Sequence, residues 1–431
     1  MELRPGYKQT AIGFIPEDWE TPTVFDIADR QKARFDDGDW VEAEHITDKG
    51  IRLIQTGNIG VGAYVEKDAK KYIHPDSFEL LKCKSLEVGD LLICRLAEPA
   101  GRACILPSIG EEDVITSVDV TIFRPDPTRF DRGYLVQYFS TSVWFESILE
   151  NVGGTTHKRI SRSSLGGIRV PIPSNKKEQS AIAAALSDVD ALLAAQDALI
   201  EKKRAIKQGA MQELLTGKRR LPGFAENWEV RRLGDHLKFL RNGTNCRAEL
   251  STTGIVKYLH YGDIHVSSDV SWDIASRDMP YIPLSKVGKL ARLEVGDLVF
   301  ADASEDLLGV GKSVEISGAD RQHAVPGLHT IAVRFDKSVL ADGFKAYLQF
   351  MPAFRSHLLC LAAGTKVYST NRSHISGCEI ALPDVREQAA IASTLSDMGA
   401  DIAVLELKRK KTVQLKQGMM QELLTGRIRL I

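Results

Sequence analysis

The chain has few of the sequence features that mark secreted or membrane proteins. Its 431 residues include six cysteines without a CxxC pair, and aromatic residues make up only 7%. No apolar run approaches the roughly 20 residues that a membrane-spanning helix needs. The N-terminal sequence MELRPGYKQT lacks the apolar stretch of a signal peptide. We therefore expect a cytoplasmic protein whose thiols are reduced.

Motifs for catalysis and for cofactor binding are also missing. The sequence contains no HExxH, GxSxG or GxGxxG motif. The nearest approach to a phosphate-binding loop is GVGKS at 309–313, but Asp306 stands where such a loop needs its first glycine. The histidines are scattered along the sequence, and each is interpreted as a surface or core residue: His45, His74, His157, His260, His265 and His329. We expect a recognition or assembly protein that is not an enzyme and has no catalytic, cofactor or metal site of its own.

The chain has no strong charge of either sign. Lysine and arginine number 56 and aspartate and glutamate 57, which gives a formal net charge of −1. A strongly basic balance would indicate attraction to nucleic acid. Any binding of DNA must therefore depend on local clusters of basic residues or on basic partner subunits.

What the sequence does contain is a copy of itself, 209 residues further on. KQGAMQELLTG at 207–217 recurs as KQGMMQELLTG at 416–426, with ten of eleven positions identical. A period of this length is too long for a solenoid repeat of roughly 20–50 residues. It corresponds to a whole domain followed by a helix, so the chain consists of two copies of one unit.

The copies differ more in their globular parts than in their helices. Short matches keep their order but drift in spacing: LEVGD at 86–90 and 293–297, GFIPEDWE at 13–20 and GFAENWE at 223–229. One interpretation is a shared framework with divergent loops, and divergent loops are where binding specificity resides. The other is an old duplication whose copies drifted without functional cause.

Each copy ends in a long helical segment. Apolar residues follow a 4-3-4 spacing at Ile182, Leu186, Val189 and Leu193, and the second copy repeats the pattern from Ile391. This spacing predicts helices that pair with one another. Ser174-Asn175 and Asp384 supply candidate N-caps, and Gly217 and Gly426 are candidate residues just beyond the C-termini. We expect an intramolecular antiparallel coiled coil, with each helix ~60 Å long and a globular part at either end.

The globular parts, about 1–173 and 221–383, are predicted to be mixed α/β (α+β). Runs rich in branched residues predict strands at 90–95, 118–124, 297–301 and 330–335. One helix is predicted at 133–149 and another at 343–361, where Pro352 should kink or split it. In both copies a glycine-threonine loop follows the helix, and then a short strand that ends in proline.

Basic and polar residues gather just after each glycine-threonine loop. Lysine, arginine, hydroxyl and amide groups bind phosphates and read base edges. The candidate DNA-binding residues are Lys158, Arg159, Ser161, Arg162, Lys366, Tyr368, Ser369, Asn371 and Arg372, with Arg102, Lys312, Arg95 and Arg241 at similar loop edges as weaker candidates. A solvated loop without function remains the alternative. For the basic runs at 202–204 and 408–411 the choice is likewise open between a solvated face and a surface for partners.

Taken in order along both copies, these motifs resemble the specificity subunit of type I restriction–modification enzymes. The resemblance covers essentially the whole chain. It includes the GFIPEDWE start, the LEVGDL strand entry, the glycine-threonine loop, the EQSAIA helix start and the KQGAMQELLTG helix end. It implies target-recognition domains at 1–174 and 218–384, spacer helices at 175–217 and 385–426, and a tail at 427–431.

The resemblance also implies the function and the partners. Each target-recognition domain would read one half of an asymmetric bipartite site in double-stranded DNA, and the helices would set the spacing, at most ~18 base pairs at 3.4 Å each. Two methyltransferase subunits would dock on the helices, and motor-nuclease subunits would join them. S-adenosylmethionine, ATP and Mg²⁺ would belong to those partner subunits. Two alternatives remain: a coiled-coil scaffold whose globular ends bind protein, and an autonomous nuclease or methyltransferase.

Overall fold

The computed structural model describes residues 5–154, 158–318, 323–362, 364 and 367–431. The chain forms two compact units. Unit 1 comprises Met1–Asp197 together with Leu407–Ile431, and unit 2 comprises Ala198–Glu406. Among the described residues, no helix has both the length and the apolar character needed to cross a membrane.

Unit 1 contains fourteen short strands and five short helices among its described residues. The strands are β1 (Tyr7–Thr10), β2 (Gly13–Pro16), β3 (Trp19–Glu20), β4 (Phe35–Asp37), β5 (Ile46–Thr47), β6 (Ile51–Ile54), β7 (Tyr72–Ile73), β8 (Leu91–Cys94), β9 (Ala103–Ile105), β10 (Val114–Thr116), β11 (Val120–Phe123), β12 (Val152–Gly153), β13 (Arg159–Ile160) and β14 (Ile172–Pro173). The helices are α1 (Val24–Ile27), α2 (Pro75–Leu81), α3 (Arg132–Tyr138), α4 (Ser142–Leu149) and α5 (Arg162–Gly167), and 3-10 turns lie at Lys32–Arg34, Ala43–His45 and Thr56–Asn58.

Two four-stranded sheets organise the globular part of unit 1. One is antiparallel with the order β4-β11-β8-β9, and the other has the order β10-β6-β7-β5 with β10 parallel to β6. The strands of the first sheet carry branched and aromatic residues on both faces, which is why β8 and β11 are buried along their whole length. Aromatic rings fill the space between this sheet and the helices, including Phe123, Phe139 and Trp144.

The first long helix, α6 (Lys176–Leu214), leads from unit 1 into unit 2, and the second, α11 (Val385–Leu423), leads back. Unit 2 has strands β15 (Glu229–Arg232), β16 (Leu237–Phe239), β17 (Val256–Leu259), β18 (Ser271–Asp273), β19 (Tyr281–Ile282), β20 (Leu298–Ala301), β21 (Ala303–Ser304), β22 (Ser313–Gly318), β23 (His323–Pro326), β24 (Thr330–Phe335), β25 (Tyr368–Ser369) and β26 (Glu379–Leu382). Its helices are α7 (Tyr261–Val266), α8 (Leu284–Val287), α9 (Pro352–Leu361) and α10 (Arg372–Ser376), and 3-10 turns lie at Leu233–His236, Arg247–Glu249 and Lys345–Phe350.

The framework of unit 2 repeats that of unit 1. A five-stranded sheet has the order β16-β24-β20-β22-β18. Three neighbouring strands of this sheet, β16, β24 and β20, correspond in order to β4, β11 and β8 of unit 1. The same ion pair supports the same strand entry in each unit. Arg124 binds both carboxylate oxygens of the buried Asp90, and Arg334 does so with Asp297. The two units therefore share the packing of these strands and a buried ion pair at the same position.

The long helices are packed together and antiparallel, as predicted. In unit 1, Gln196 of α6 donates to Thr412 of α11 at 3.2 Å. In unit 2, Lys203 lies 3.1 Å from Asp401. Residue numbers rise along one helix and fall along the other, which fixes the direction. Each helix has 39 residues, and the side chains of Asn175 and Asp384 accept N–H groups of the first turn, so these two N-caps are confirmed. The other candidate, Ser174, donates its hydroxyl to the carbonyl of Asp18 and does not cap the helix.

The seam residues of the helices serve two contacts at once. Ile182 and Leu186 are fully buried, and their cluster includes Tyr134 of the globular part as well as Leu423 of α11. The sequence pattern predicted only the contact between helices. The domain and the helix pair thus share one core in unit 1, and the equivalent residues Ile391 and Leu395 belong to the core of unit 2.

One predicted helix differs from the structure. Residues 133–149 form two helices, α3 and α4, because the hydroxyl of Thr141 accepts the N–H of Trp144 and starts a new helix there. In the second copy the predicted break occurs, since Pro352 is the first residue of α9 and a 3-10 turn precedes it. Strand β24 has the predicted bounds, and Gly217 and Gly426 adopt left-handed φ values of 69° and 70° beyond the helix ends.

Candidate nucleic-acid interface

In unit 1 the predicted residues surround the start of α5. Ser161 is the N-cap of this helix, and its hydroxyl accepts the N–H of Ser164 at 3.0 Å. Arg162 follows at once and forms an ion pair with Asp36, while Asp37 lies 3.7 Å away. The cap and the ion pair hold this turn against β4 and leave about a third of the arginine side chain exposed.

Two further candidates precede α5 on the same surface. Arg159 in β13 lies 2.8 Å from a carboxylate oxygen of Asp119, the residue just before β11. Lys158 is exposed, and its backbone carbonyl accepts the N–H of Ala97 at 3.0 Å. The backbone of this segment is thus fixed to the loop after β8, and the Lys158 side chain extends from a fixed position.

A cavity of about 490 Å³ opens beside Arg162. Phe25 and Phe35 supply its apolar wall, and Arg30, Lys32 and Arg162 supply cationic groups. Gly166 allows the close approach of helix α5, since a Cβ atom there would stand 3.1 Å from the ring of Phe35.

In unit 2 the equivalent residues lie around α10. Tyr368 and Ser369 form β25, which pairs with β21. Asn371 is the N-cap of α10, and its side-chain oxygen accepts the N–H of His374 at 3.0 Å. Arg372 donates to the backbone carbonyl of Leu240 at 3.0 Å. Lys366 lies outside the described residues.

The arginine that follows the cap has the same place in both units. Arg162 binds β4 through Asp36, whereas Arg372 lies over the ring of Phe239 in β16, 5.3 Å from its centre. In each case the guanidinium holds the short helix against the first strand of the sheet. The position is constant, and the local chemistry differs between the units.

The other predicted cations have partners within the protein. Arg102 donates to the carbonyls of Ile59, Leu96, Pro99 and Thr56, at 2.7 to 2.9 Å. Lys312 donates to the carbonyl of His265 at 2.6 Å, and burial lowers the pKa of its ammonium group.

Arg95 is buried at 3% exposure, and it donates to the carbonyl of Val118 and lies 3.1 Å from Asp37. Burial lowers the pKa of Arg95. Arg95, Arg102 and Lys312 therefore hold loops in place and support the surface from beneath.

A basic group in unit 2 was largely missed from the sequence. The N–H of Ala291 donates to the carbonyl of Arg241, so Lys289 and Arg292 belong to the segment that is hydrogen-bonded to that arginine. All three basic side chains are exposed, and none has a carboxylate within ion-pair distance among the described residues. Unpaired cations at a surface attract phosphate groups. The polar run RNGTNCR at 241–247 was the available signal.

The fold also gathers histidines that are scattered in the sequence. The ring centre of Tyr261 lies 4.7 Å from that of His260, 6.0 Å from His265 and 5.3 Å from His329. Burial lowers the pKa of His260, and Arg247 acts in the same direction. Among the residues that the structure describes, no group of His, Cys, Asp and Glu side chains is suited to hold a metal ion. The cluster is aromatic and polar.

The two units thus repeat one architecture, and each carries basic and polar side chains at matching positions beside a short helix. Residues 16–202 match the family described as the type I restriction modification DNA specificity domain. The chain is 23% identical to the putative type I restriction enzyme MjaX specificity subunit of Methanocaldococcus jannaschii, over 98% of this chain and 96% of that protein. It is also 23% identical to the MjaVIII specificity subunit of the same organism, over 96% and 94%.

Solved structures share the fold. The S subunit of a type I restriction–modification system from M. genitalium aligns with a TM-score of 0.56 at 14% identity, over 98% of each chain. A chain from a study of complex assembly and conformational transition of the type I R-M system aligns with a TM-score of 0.59 at 13% identity, over 96% of this chain and 99% of that one. The chain is thus similar to the specificity subunits of type I restriction–modification systems over nearly its whole length, and its first unit matches their DNA specificity domain.

Proposed function

We propose that each globular part reads one half of an asymmetric bipartite DNA site. The observation that carries the proposal is the exchange of side chains on a constant framework. Lys158 and Arg159 of unit 1 correspond to Tyr368 and Ser369 of unit 2, and the cap Ser161 corresponds to Asn371. Groups that read base edges differ while the backbone positions are kept, so two different half-sites are expected.

The contacting residues in this proposal fall into two kinds. Lys158, Arg159, Ser161, Arg162, Lys366, Tyr368, Ser369, Asn371 and Arg372 approach DNA directly, and Arg102 and Lys312 fix the loops beneath them. Phosphate contacts set the position of a protein on the duplex, and contacts to base edges set the specificity. The exposed Arg241, Lys289 and Arg292 supply phosphate contacts in unit 2.

The paired helices serve as a spacer and as a docking surface for two methyltransferase subunits. Within unit 2, Leu199 and Ile206 of α6 are spaced seven residues apart and are 42% and 49% exposed. A heptad-spaced apolar stripe is the surface on which a further helix packs. Motor-nuclease subunits complete the restriction enzyme, and the partner subunits carry S-adenosylmethionine, ATP and Mg²⁺. A complex that acts on chromosomal DNA works in the cytoplasm.

A domain exchange tests the proposal. Residues 1–173 are replaced by the corresponding segment of another specificity subunit, and methylated adenines are mapped across the genome. We expect one half of the methylated sequence to change and the other half to remain. The matched control replaces residues 221–383 and should change the opposite half. A change in both halves after either exchange would contradict independent reading by the two units.

A further inference from the structure

We propose that His329 and Tyr261 of unit 2 form a second base-reading surface, continuous with the start of α10. The inference deepens the proposed function and rests on it, because it names side chains that determine specificity within one half-site. Neither residue stands out in the sequence, where His329 is one of several isolated histidines. Their proposed role in base reading rests on a series of contacts within unit 2 that begins and ends at α10.

The first of these contacts connect α10 to the segment before β24. Arg372 lies 3.4 Å from the side-chain oxygen of Asn242. The amide nitrogen of Asn242 lies 3.4 Å from the carbonyl of Gly327. Asn242 therefore links the predicted DNA-binding helix to the turn that carries His329.

The second part returns from His329 to α10. The rings of His329 and Tyr261 meet edge to face, with centroids 5.3 Å apart. Nδ1 of His329 lies 3.1 Å from a carboxylate oxygen of Asp302. The carbonyl of Asp302 accepts the N–H of Thr370 at 2.8 Å, next to the cap Asn371. His329, Tyr261 and Asn371 thus lie on one connected surface.

The backbone at His329 indicates that its side chain is functional. Its φ angle is 54°, in the left-handed region that few non-glycine residues adopt and where asparagine, aspartate and histidine are the most frequent of them. The imidazole is nevertheless 52% exposed, so it contributes little to the core. Strained positions of this kind cluster at binding sites. The exposed imidazole at this backbone position is therefore consistent with a binding site in which the ring itself makes a contact.

Comparison with unit 1 strengthens the inference. Asp119 stands just before β11 as His329 stands just before β24, and their carbonyls accept equivalent backbone bonds, from Arg95 and Asp302 respectively. Unit 1 therefore has an arginine and an aspartate where unit 2 has an aspartate and a histidine. The same backbone bridge therefore joins different side chains in the two units, and only the first position, Arg95 or Asp302, changes the sign of its charge. Such an exchange is what two readers of different sequences require.

The chemistry of the pair defines what it recognises. When Nδ1–H of the neutral ring is donated to Asp302, Nε2 remains as an acceptor. An acceptor of this kind suits the exocyclic amino group of adenine or cytosine in the major groove. The ring of Tyr261 packs edge to face against the imidazole and adds an aromatic surface.

Two variants at one position test the proposal in the complex assembled with the methyltransferase partner. His329→Gly removes the ring and relieves the left-handed backbone, and His329→Asn keeps a polar group at a tolerated φ. His323→Ala, at another exposed histidine of unit 2, is the matched control. The readouts are the methylated sequence across the genome, the thermal midpoint, and binding to oligonucleotides that vary one base at a time.

We expect His329→Gly to lower discrimination about tenfold at one position of a single half-site, with the other half-site and the thermal midpoint unchanged. His329→Asn should alter the preferred base at that same position, and His323→Ala should change neither half. Unchanged discrimination in His329→Gly, or a lowered thermal midpoint in both variants, would overturn the inference. If the wild-type complex methylates no bipartite sequence, it is the proposed function that fails.

Discussion

Arg429 holds the buried carboxylate of Glu178, 251 residues earlier in the chain, through two hydrogen bonds at the start of α6. The guanidinium also lies over the ring of Trp19, 5.8 Å from its centre. Unit 2 contains the same arrangement, in which Arg220 binds Glu387. The segment predicted as a tail thus contributes an ion pair that unit 1 cannot replace.

Removing this arginine should destabilise unit 1 alone. Arg429→Ala leaves Glu178, which is 1% exposed, as an uncompensated buried charge, and we expect a loss of about 3–5 kcal/mol in the free energy of unfolding. Hydrogen exchange of backbone amides distinguishes the units, and protection should fall in unit 1 and stay in unit 2. Arg427→Ala is the control, because its pair with Glu422 is exposed and should contribute less than about 1 kcal/mol. Equal effects of both variants would contradict this account.

Unit 2 contains a buried carboxylate whose ionisation should make its stability depend on pH. Glu315 accepts the N–H groups of Gly343 and Ala346, and burial raises its pKa to about 7. The folded state therefore favours the protonated form. Its contribution is fully present below the ordinary pKa of 4.5 and is lost as the pH rises through about 7.

The variant Glu315→Gln isolates that contribution. Between pH 4.5 and 8 the wild type should lose on the order of 3 kcal/mol more stability than the variant. The measurement is urea-induced unfolding of both proteins across this pH range. Unit 1 has Ile105 at the equivalent position, so its amide protection should show no such difference. Parallel pH profiles for the two proteins would show that Glu315 ionises normally.

The exposed stripe on α6 should be required for assembly. Leu199→Glu combined with Ile206→Glu places two charges on the apolar surface without disturbing the core, because both residues are exposed. We expect weaker binding of the methyltransferase subunits, by at least tenfold, with an unchanged thermal midpoint of the isolated chain. Ala198→Glu is the control, since it lies about 100° round the helix from Leu199. Binding unaffected by the double variant would exclude this stripe as the docking surface.

The helix pair should set the distance between half-sites. Seven residues inserted after Asp197 and seven after Glu406 add about two turns to each helix, or roughly 10 Å. We expect the gap in the methylated sequence to widen by about three base pairs while both halves are kept. An insertion in one helix only should break the antiparallel register and abolish methylation. An unchanged gap after the double insertion would count against a spacer role.

The local features of this fold could be predicted, because they depend on residues that are close together in the sequence. The caps Asn175 and Asp384 and the bounds of β24 follow from short patterns, and the pairing of the helices follows from the repeat. The second helix start at Thr141 was missed, because a hydroxyl inside an apolar run resembles an ordinary helical position.

For the candidate site, the sequence predicted residues but not the partners that restrict them. Arg102 and Lys312 were predicted from their positions, yet their bonds to distant backbone carbonyls depend on the folded loops. The pairing of His329 with Asp302 likewise joins two strand ends, and no local pattern encodes it. Direct contact between the predicted residues and DNA stays a prediction.

The antiparallel return of α11 has a consequence for the order of synthesis. Unit 2 is one continuous stretch, Ala198–Glu406, whereas unit 1 needs Leu407–Ile431 to cover its core. On the ribosome, the domain that is translated first therefore waits for the last residues of the chain, and the second domain completes its own core earlier. Until residues 407–431 emerge, Trp19 and the apolar start of α6 lack their covering residues Leu423 and Leu424. The two units therefore complete their cores in the reverse of the order in which they are encoded.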